Sequence, residues 1–193
     1  MPSMKPSTFY QLKGYAGLAT MADAISEYFP KDINMYVEPF AGLGRTTKFA
    51  KSNKIHLNDL SDYAVDYLRK EFPQALVTQL DYHDIFEQYE DVEDMFMLID
   101  PPWRKNIYKN NAKPVFTGNN VIGYYDDVLK YLKSAKYKWI LCVDKAETEI
   151  GKRVSKSQWK NIVLEHPTKK LFNRAIGVRL ATNIDIAKER LNI

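Results

Sequence analysis

Cysteine, histidine and long apolar runs are scarce in this sequence, and each scarcity excludes something. A single cysteine, Cys142, stands among 193 residues, so no intrachain disulfide can form. Its setting, Trp139-Ile140-Leu141-Cys142-Val143, marks it as a buried small hydrophobe rather than a nucleophile. The three histidines, His56, His83 and His166, are too scattered to form a metal-binding set, and no metal is expected. No run of about 18 apolar residues is present, and no charged-then-apolar leader, so neither a membrane span nor a signal peptide is expected. With no disulfide usage, the expected location is intracellular and cytoplasmic. No internal repeat or low-complexity tract breaks the chain.

What remains is the composition of an ordinary globular protein, 45% hydrophobic and 27% charged. At 193 residues the expected organisation is one domain spanning 1–193, with residues 1–10 a flexible lead-in. The formal charge of +4 permits a polyanionic partner without requiring one.

The most informative stretch is Asp100-Pro101-Pro102-Trp103. It follows the apolar run Met95-Phe96-Met97-Leu98-Ile99, too short for an ordinary helix and suited to a buried strand. Two consecutive prolines fix φ and lack a backbone donor, so the strand must stop and leave Asp100 at its carboxyl end. In open α/β sheets ligands bind at that end. An acid, carbonyls with no chain partner and a large aromatic face suit a planar ring carrying an exocyclic amine. Arg104, Lys105, Lys109 and Lys113 follow directly, with Tyr108 between them. Cations for phosphates and rings for bases are what a nucleic-acid groove needs, although a solvated loop has the same composition.

The rest of the chain alternates strands and helices. A helix is expected over about 20–28, closed by Pro30, and a strand over 35–40 running into Ala41-Gly42-Leu43-Gly44, with a helix starting near Arg45. Strand, Gly-rich turn and helix make the first half of a nucleotide-binding βαβ unit, in which a helix N-terminus offers unpaired donors. Only two glycines are present, and a tight turn explains them equally well. A second strand over 54–58 carries Asp59 at its end, fifteen residues after Gly44, where a carboxylate can accept from the hydroxyls of a ribose. Asp59 can also cap the next helix, expected over 61–72, but Ser61 can take that role. A third strand is expected over 74–80, with residues 81–86 crossing its end. There Asp81 can accept from an adenine amino group and Ile85 or Phe86 can pack on the purine. After the strand that delivers Asp100 come a helix over 121–135, a strand over 137–143, a polar basic region, and two strands over 159–165 and 175–184 that suit an antiparallel hairpin.

Val37-Glu38-Pro39-Phe40-Ala41-Gly42-Leu43-Gly44, Asn58-Asp59, Asp81 and Asp100-Pro101-Pro102-Trp103 together resemble a class I S-adenosylmethionine-dependent methyltransferase, specifically the Dam-like (D12-class) adenine-N6 DNA methyltransferases. Lys13-Gly14-Tyr15-Ala16-Gly17 is a weaker match to the family's N-terminal segment. The resemblance implies a Rossmann-like α/β fold, a mostly parallel seven-stranded sheet with an antiparallel C-terminal hairpin. It implies S-adenosyl-L-methionine as cofactor, with Tyr15, Ala16, Gly17, Glu38, Phe40, Ala41, Gly42 and Gly44 around its methionine portion, Asp59 on the ribose and Asp81 on the adenine. Asp100, Pro101, Pro102 and Trp103 would be the catalytic set. Arg104, Lys105, Tyr108, Lys109 and Lys113 would touch nucleic acid, DNA as the expected substrate and RNA as the alternative.

Three departures stand out. The family usually ends its catalytic motif in Tyr, and Trp103 also resembles RNA adenine methyltransferases. Leu18 and Ala19 replace a Gly and a Lys of the N-terminal segment. The family inserts a target-recognition domain between its two motifs, whereas 55 residues separate Gly44 from Asp100 here. Recognition would then fall to residues 104–120, to the basic region after Val143, or to a homodimer or partner subunit.

Overall fold

The apolar run 95–99 is the middle strand of a seven-stranded sheet in the computed structural model, which describes residues 21–101, 121–144, 160–171 and 174–185. The strands are β1 (Met35–Glu38), β2 (Lys54–Asn58), β3 (Leu76–Thr78), β4 (Met95–Ile99), β5 (Lys138–Asp144), β6 (Lys160–Leu171) and β7 (Arg174–Thr182). Four helices lie between or before them: α1 (Ala22–Ser26), α2 (Asp62–Glu71), α3 (Tyr82–Gln88) and α4 (Val121–Ser134). The strand order is β3-β2-β1-β4-β5-β7-β6. The first five run parallel, and β7 lies antiparallel to both β5 and β6.

Side-chain alternation builds the layers. Met95, Met97 and Ile99 of β4 join Trp139, Leu141 and Val143 of β5 on one face, covered by Ile85 and Phe86 of α3 and Val128 and Leu132 of α4. Phe96 and Leu98 join Ile140 and Cys142 on the other, covered by Ile25 of α1 and Leu68 of α2. Both faces of the central strands are therefore dry, which is why their sequences are continuous apolar runs rather than alternating ones. Each such large side chain contributes roughly 1.5–3 kcal/mol by leaving water. Cys142 is fully buried, as its neighbours predicted. No helix among the described residues is long and apolar enough to cross a membrane.

From β1 the chain steps outward through β2 and β3, then returns to place β4 on the other side of β1. The order reverses between β1 and β4, and the crevice at such a switch point is the usual ligand position.

Several elements differ from expectation. No helix starts near Arg45. A 3-10 turn, Thr47–Phe49, stands there instead, because Gly42 and Gly44 hold φ of 53° and 60° and the Thr46 and Thr47 hydroxyls turn inward. β3 is three residues rather than seven, since Gln79 turns away to bond the Leu60 carbonyl and Asp62. Residues 82–88 are helical, not a crossing loop, and Ile85 and Phe86 are fully buried in the core, so neither is available to a purine. Of the final strands, β6 is longer than expected, twelve residues, whereas β7 has nine. β5 pairs with β7 only from Val178 onward, while Leu171 of β6 still pairs with Arg174, so the hairpin continues beyond the carboxyl end of β5.

Candidate active site

β1 ends in Glu38, whose side chain is buried and turned beneath the Gly-rich turn. Its Oε1 accepts from the hydroxyls of Tyr36, Thr46 (2.8 Å) and Thr47 (2.8 Å). The two threonine bonds tie the far end of the turn back to the strand and explain why two hydroxyl residues follow the glycines. Burial pushes the carboxyl up to about 7, against the opposing pull of the three hydroxyls. The Tyr36 hydroxyl is raised well above its ordinary value, first by burial and then by the nearby Glu38 charge.

A pH dependence follows. An unfolded glutamate ionises near 4.5, whereas folded Glu38 keeps its proton to about 7. Between those values the folded state holds a proton that the unfolded state has lost, so this group's contribution is complete below 4.5 and disappears as pH rises through 7. Glu38→Gln removes that titration while keeping an acceptor for the hydroxyls. Denaturant unfolding of both proteins at pH 5 and pH 8 should show the variant gaining up to about 3 kcal/mol on wild type at the higher pH. Parallel pH profiles would exclude a proton on Glu38.

Above Glu38 the turn is fastened to the end of β2. The Ala41 amide donates to the Asn58 carbonyl (2.8 Å), the Gly42 amide to Asp59 Oδ2 (2.9 Å), and the Gly44 amide back to the Ala41 carbonyl (2.8 Å). Asp59 Oδ1 accepts from the Ser61 amide (2.9 Å), so the carboxylate bridges the turn after β1 and the start of α2. Ser61 occupies the position before that helix but makes no side-chain cap, contrary to expectation. Burial raises the Asp59 carboxyl, and the Ser61 and Gly42 amides pull it back down. Each carboxylate oxygen has a second lone pair, so Asp59 keeps capacity for the hydroxyls of a ligand.

Pro39, Phe40, Asn58, Asp59, Leu60, Leu80 and Tyr82 line a shallow cleft at the carboxyl ends of β1, β2 and β3. The Phe40 and Tyr82 rings lie 5.3 Å apart on its wall. Apolar and aromatic walls with one carboxylate suit a nucleoside, the walls taking the base and Asp59 the sugar diol. Among the expected cofactor residues, Phe40 and Asp59 line this cleft, and Gly42 reaches it through Asp59. Glu38 lies outside the lining. Gly44 faces the other way: a Cβ there would stand 2.6 Å from Phe72, at the end of α2. Asp81 is the cap of α3, its Oδ1 accepting from the amide (3.0 Å) and Nδ1 (2.6 Å) of His83, and it stands between the cleft residues Leu80 and Tyr82.

Asp100 sits half-buried at the end of β4, with Pro101 buried behind it. β1 and β4 pair with Tyr36 opposite Phe96 and Val37 opposite Met97. Asp100, at the end of β4, therefore stands on the strand next to the one that leads into Phe40. Burial, and after it the charges of Asp100 and Glu38, raise the Cys142 thiol well above its ordinary value. Pro102, Trp103, Arg104, Lys105, Tyr108, Lys109 and Lys113 lie outside the described residues, as do Tyr15, Ala16 and Gly17.

Sequence reasoning gave no role to Asn58, Leu80 or Tyr82. Their signal was positional: Asn58 ends β2, and Leu80 and Tyr82 lie two and four residues past the end of β3.

Known structures place this architecture. An rRNA methylase from Streptococcus thermophilus superposes with a TM-score of 0.55 at 13% identity over 84% of this chain and 94% of its own. A Streptococcus mutans protein provisionally assigned as a methyltransferase, solved in complex with SAH, gives 0.56 at 12% identity over 86% and 97%. The tRNA m1G37 methyltransferase of M. jannaschii gives 0.52 at 15% identity over 86% and 49%. The fold is thus that of the Rossmann-like methyltransferases. No curated protein sequence matches the chain. The profile of the D12 class N6 adenine-specific DNA methyltransferases matches residues 19–161, and the chain belongs to this family. S-adenosylmethionine is accordingly its cofactor, methyl transfer its chemistry and nucleic acid its substrate class.

Proposed function

We propose that this protein methylates the exocyclic N6 amine of adenine in DNA. The observation that carries the reading is a cleft lined by Phe40, Tyr82 and Asp59 at the carboxyl ends of the strands, on the same sheet edge as the strand that ends in Asp100. When bound, the cofactor supplies an electrophilic methyl group on sulfur. Asp59 would hold its ribose and Asp81 its adenine amine, with Phe40 beside the methionine portion.

An aromatic amine is a poor nucleophile because its lone pair is delocalised into the ring. Asp100 and the Pro101 carbonyl would accept its two N–H groups, favour a pyramidal nitrogen and aim the freed lone pair, while Trp103 stacks on the ring. As the N–C bond forms and the S–C bond breaks, one amine proton leaves to solvent. Such positioning and fixed acceptors can supply most of the acceleration without a metal or a covalent intermediate. A duplex base must first leave its stack at a cost of a few kcal/mol. Arg104, Lys105, Tyr108, Lys109 and Lys113 would hold the strand.

The experiment is transfer of labelled methyl to duplex DNA, single-stranded DNA and structured RNA, with nucleoside analysis of the product. Alongside it, S-adenosylhomocysteine binding is measured for wild type, Asp59→Ala and Phe40→Ala. N6-methyladenine in DNA is expected, with affinity about 10- to 100-fold weaker in Asp59→Ala, as loss of charge-assisted hydrogen bonds implies. Unchanged affinity in both variants would overturn the assignment of the cleft. Label confined to RNA would favour the second reading, an RNA amino-methyltransferase, which Trp103 and the short spacing from Gly44 to Asp100 support. Binding without transfer to any acceptor would favour a subunit that needs a partner.

A further inference from the structure

Strand β2 carries a histidine where its dry position calls for an aliphatic residue. His56 is fully buried, and both of its ring nitrogens are engaged: Nδ1 with the Tyr89 hydroxyl and Nε2 with Thr78 Oγ1, each at 2.7 Å. Thr78 Oγ1 also contacts Asn58 Oδ1 at 2.8 Å. The Asn58 side chain then makes three main-chain bonds. Its Nδ2 donates to the carbonyls of Pro39 (3.1 Å) and Leu80 (3.0 Å), and its Oδ1 accepts from the Leu80 amide (2.8 Å).

The direction of every proton in this chain is determined. An amide nitrogen can only donate, so the Leu80 contact identifies Oδ1 of Asn58 as the acceptor and fixes the orientation of its carboxamide. The Thr78 hydroxyl has one hydrogen and must spend it on that oxygen. It therefore accepts from His56 Nε2–H, which leaves Nδ1 unprotonated to accept from Tyr89. The imidazole is held in one neutral tautomer, and burial lowers its pKa to about 4.

The far end of the chain is the cleft. Pro39 belongs to the wall that follows β1 and Leu80 to the wall that follows β3, with Asn58 between them at the end of β2. Asn58 therefore ties the two walls together, and nothing else among the described hydrogen bonds joins those two carbonyls.

We propose that His56, Thr78 and Asn58 form a positioning relay that sets the gap between the cleft walls and so tunes the affinity for the cofactor. The inference rests on the reading of the cleft as the cofactor's nucleoside site. None of the three touches the reacting atoms; the relay acts on binding and not on the transfer step.

Thr78→Val keeps the size and removes the hydroxyl, and Thr78→Ser keeps the hydroxyl. With the full chain, S-adenosylhomocysteine should bind about tenfold more weakly to the valine variant, as expected for a lost network bond. The serine variant should recover to within about threefold of wild type. The cofactor KM should rise with the dissociation constant while kcat at saturating cofactor stays within about twofold. Nitrogen-15 spectra of His56 in the wild type should report the Nε2–H tautomer, a readout that needs no variant to fold. An Nδ1–H tautomer, wild-type affinity in Thr78→Val, or a serine variant no better than the valine would each overturn the relay. Asp59→Ala in the same titration separates the two levels: if it weakens binding while Thr78→Val does not, the relay alone fails. If neither weakens binding, the cleft assignment fails with it.

Discussion

Asp100→Ala is expected to reduce methyl transfer by about 10²–10³-fold at saturating cofactor and nucleic acid, the usual loss for one acceptor or donor fixed against the charge that develops in a transition state. S-adenosylhomocysteine affinity should stay within about threefold, because Asp100 stands at the end of β4 and does not line the cleft. Single-turnover transfer and equilibrium binding on the same preparation read both quantities. The two separate because the sheet supplies two acids from different strands, Asp59 after β2 and Asp100 after β4, with β1 between them. A variant that loses affinity and rate together would place Asp100 in the cofactor site instead. Asp100→Asn, of the same size, guards against loss of fold as the explanation.

The largest expected effect on stability comes from Gly44→Ala. The residue holds φ at +60°, and an added Cβ would meet Phe72 Cε2 at 2.6 Å and Leu68 Cδ2 at 3.0 Å. Leu68 is fully buried and Phe72 nearly so, which leaves neither free to swing away. The left-handed backbone costs about 1–2 kcal/mol for a residue with a Cβ, and overpacking adds about 1–3 kcal/mol. For a chain of this size the sum corresponds to a fall in melting temperature of about 10 °C. An unchanged melting temperature would mean that the turn and α2 are not in contact. The glycine pattern that suggests ligand approach thus has, at its second position, a packing cause: the turn must lie flat on a helix before it can face anything else.

Much of this was legible in the residues. The runs 95–99 and 139–143 are apolar on both faces because helices cover both, and their parity assigns each side chain to a layer. Phe40, Asp59 and Asp100 could be placed at or beside strand ends because turn residues mark those ends. Three features were not legible. The turn after Gly44 looks like a helix start, and only the buried Glu38 explains why Thr46 and Thr47 fold inward instead. Ile85 and Phe86 follow an acid at a strand end, yet the Asp81 cap begins a helix there and rotates both into the core. The relay through His56 was invisible because, although His56 and Asn58 share β2, Thr78 that links them lies on β3, and Tyr89, which holds the other ring nitrogen, follows α3. A lone histidine in a strand does not announce its partners.

The two borders of the sheet bear on how copies of this chain can meet. One border, β3, is three residues long. The other, β6, is twelve residues long but irregular: its register against β7 shifts between Glu165 and Lys170, and the intervening residues include Pro167, which has no amide hydrogen to offer. Short borders, register breaks, proline and lysine are the devices by which edge strands resist pairing with another chain. Neither border is therefore a template for extending the sheet from one molecule into the next. An assembly that avoids these two borders would leave the row of strand ends that carries Asp59 and Asp100 in its monomeric arrangement.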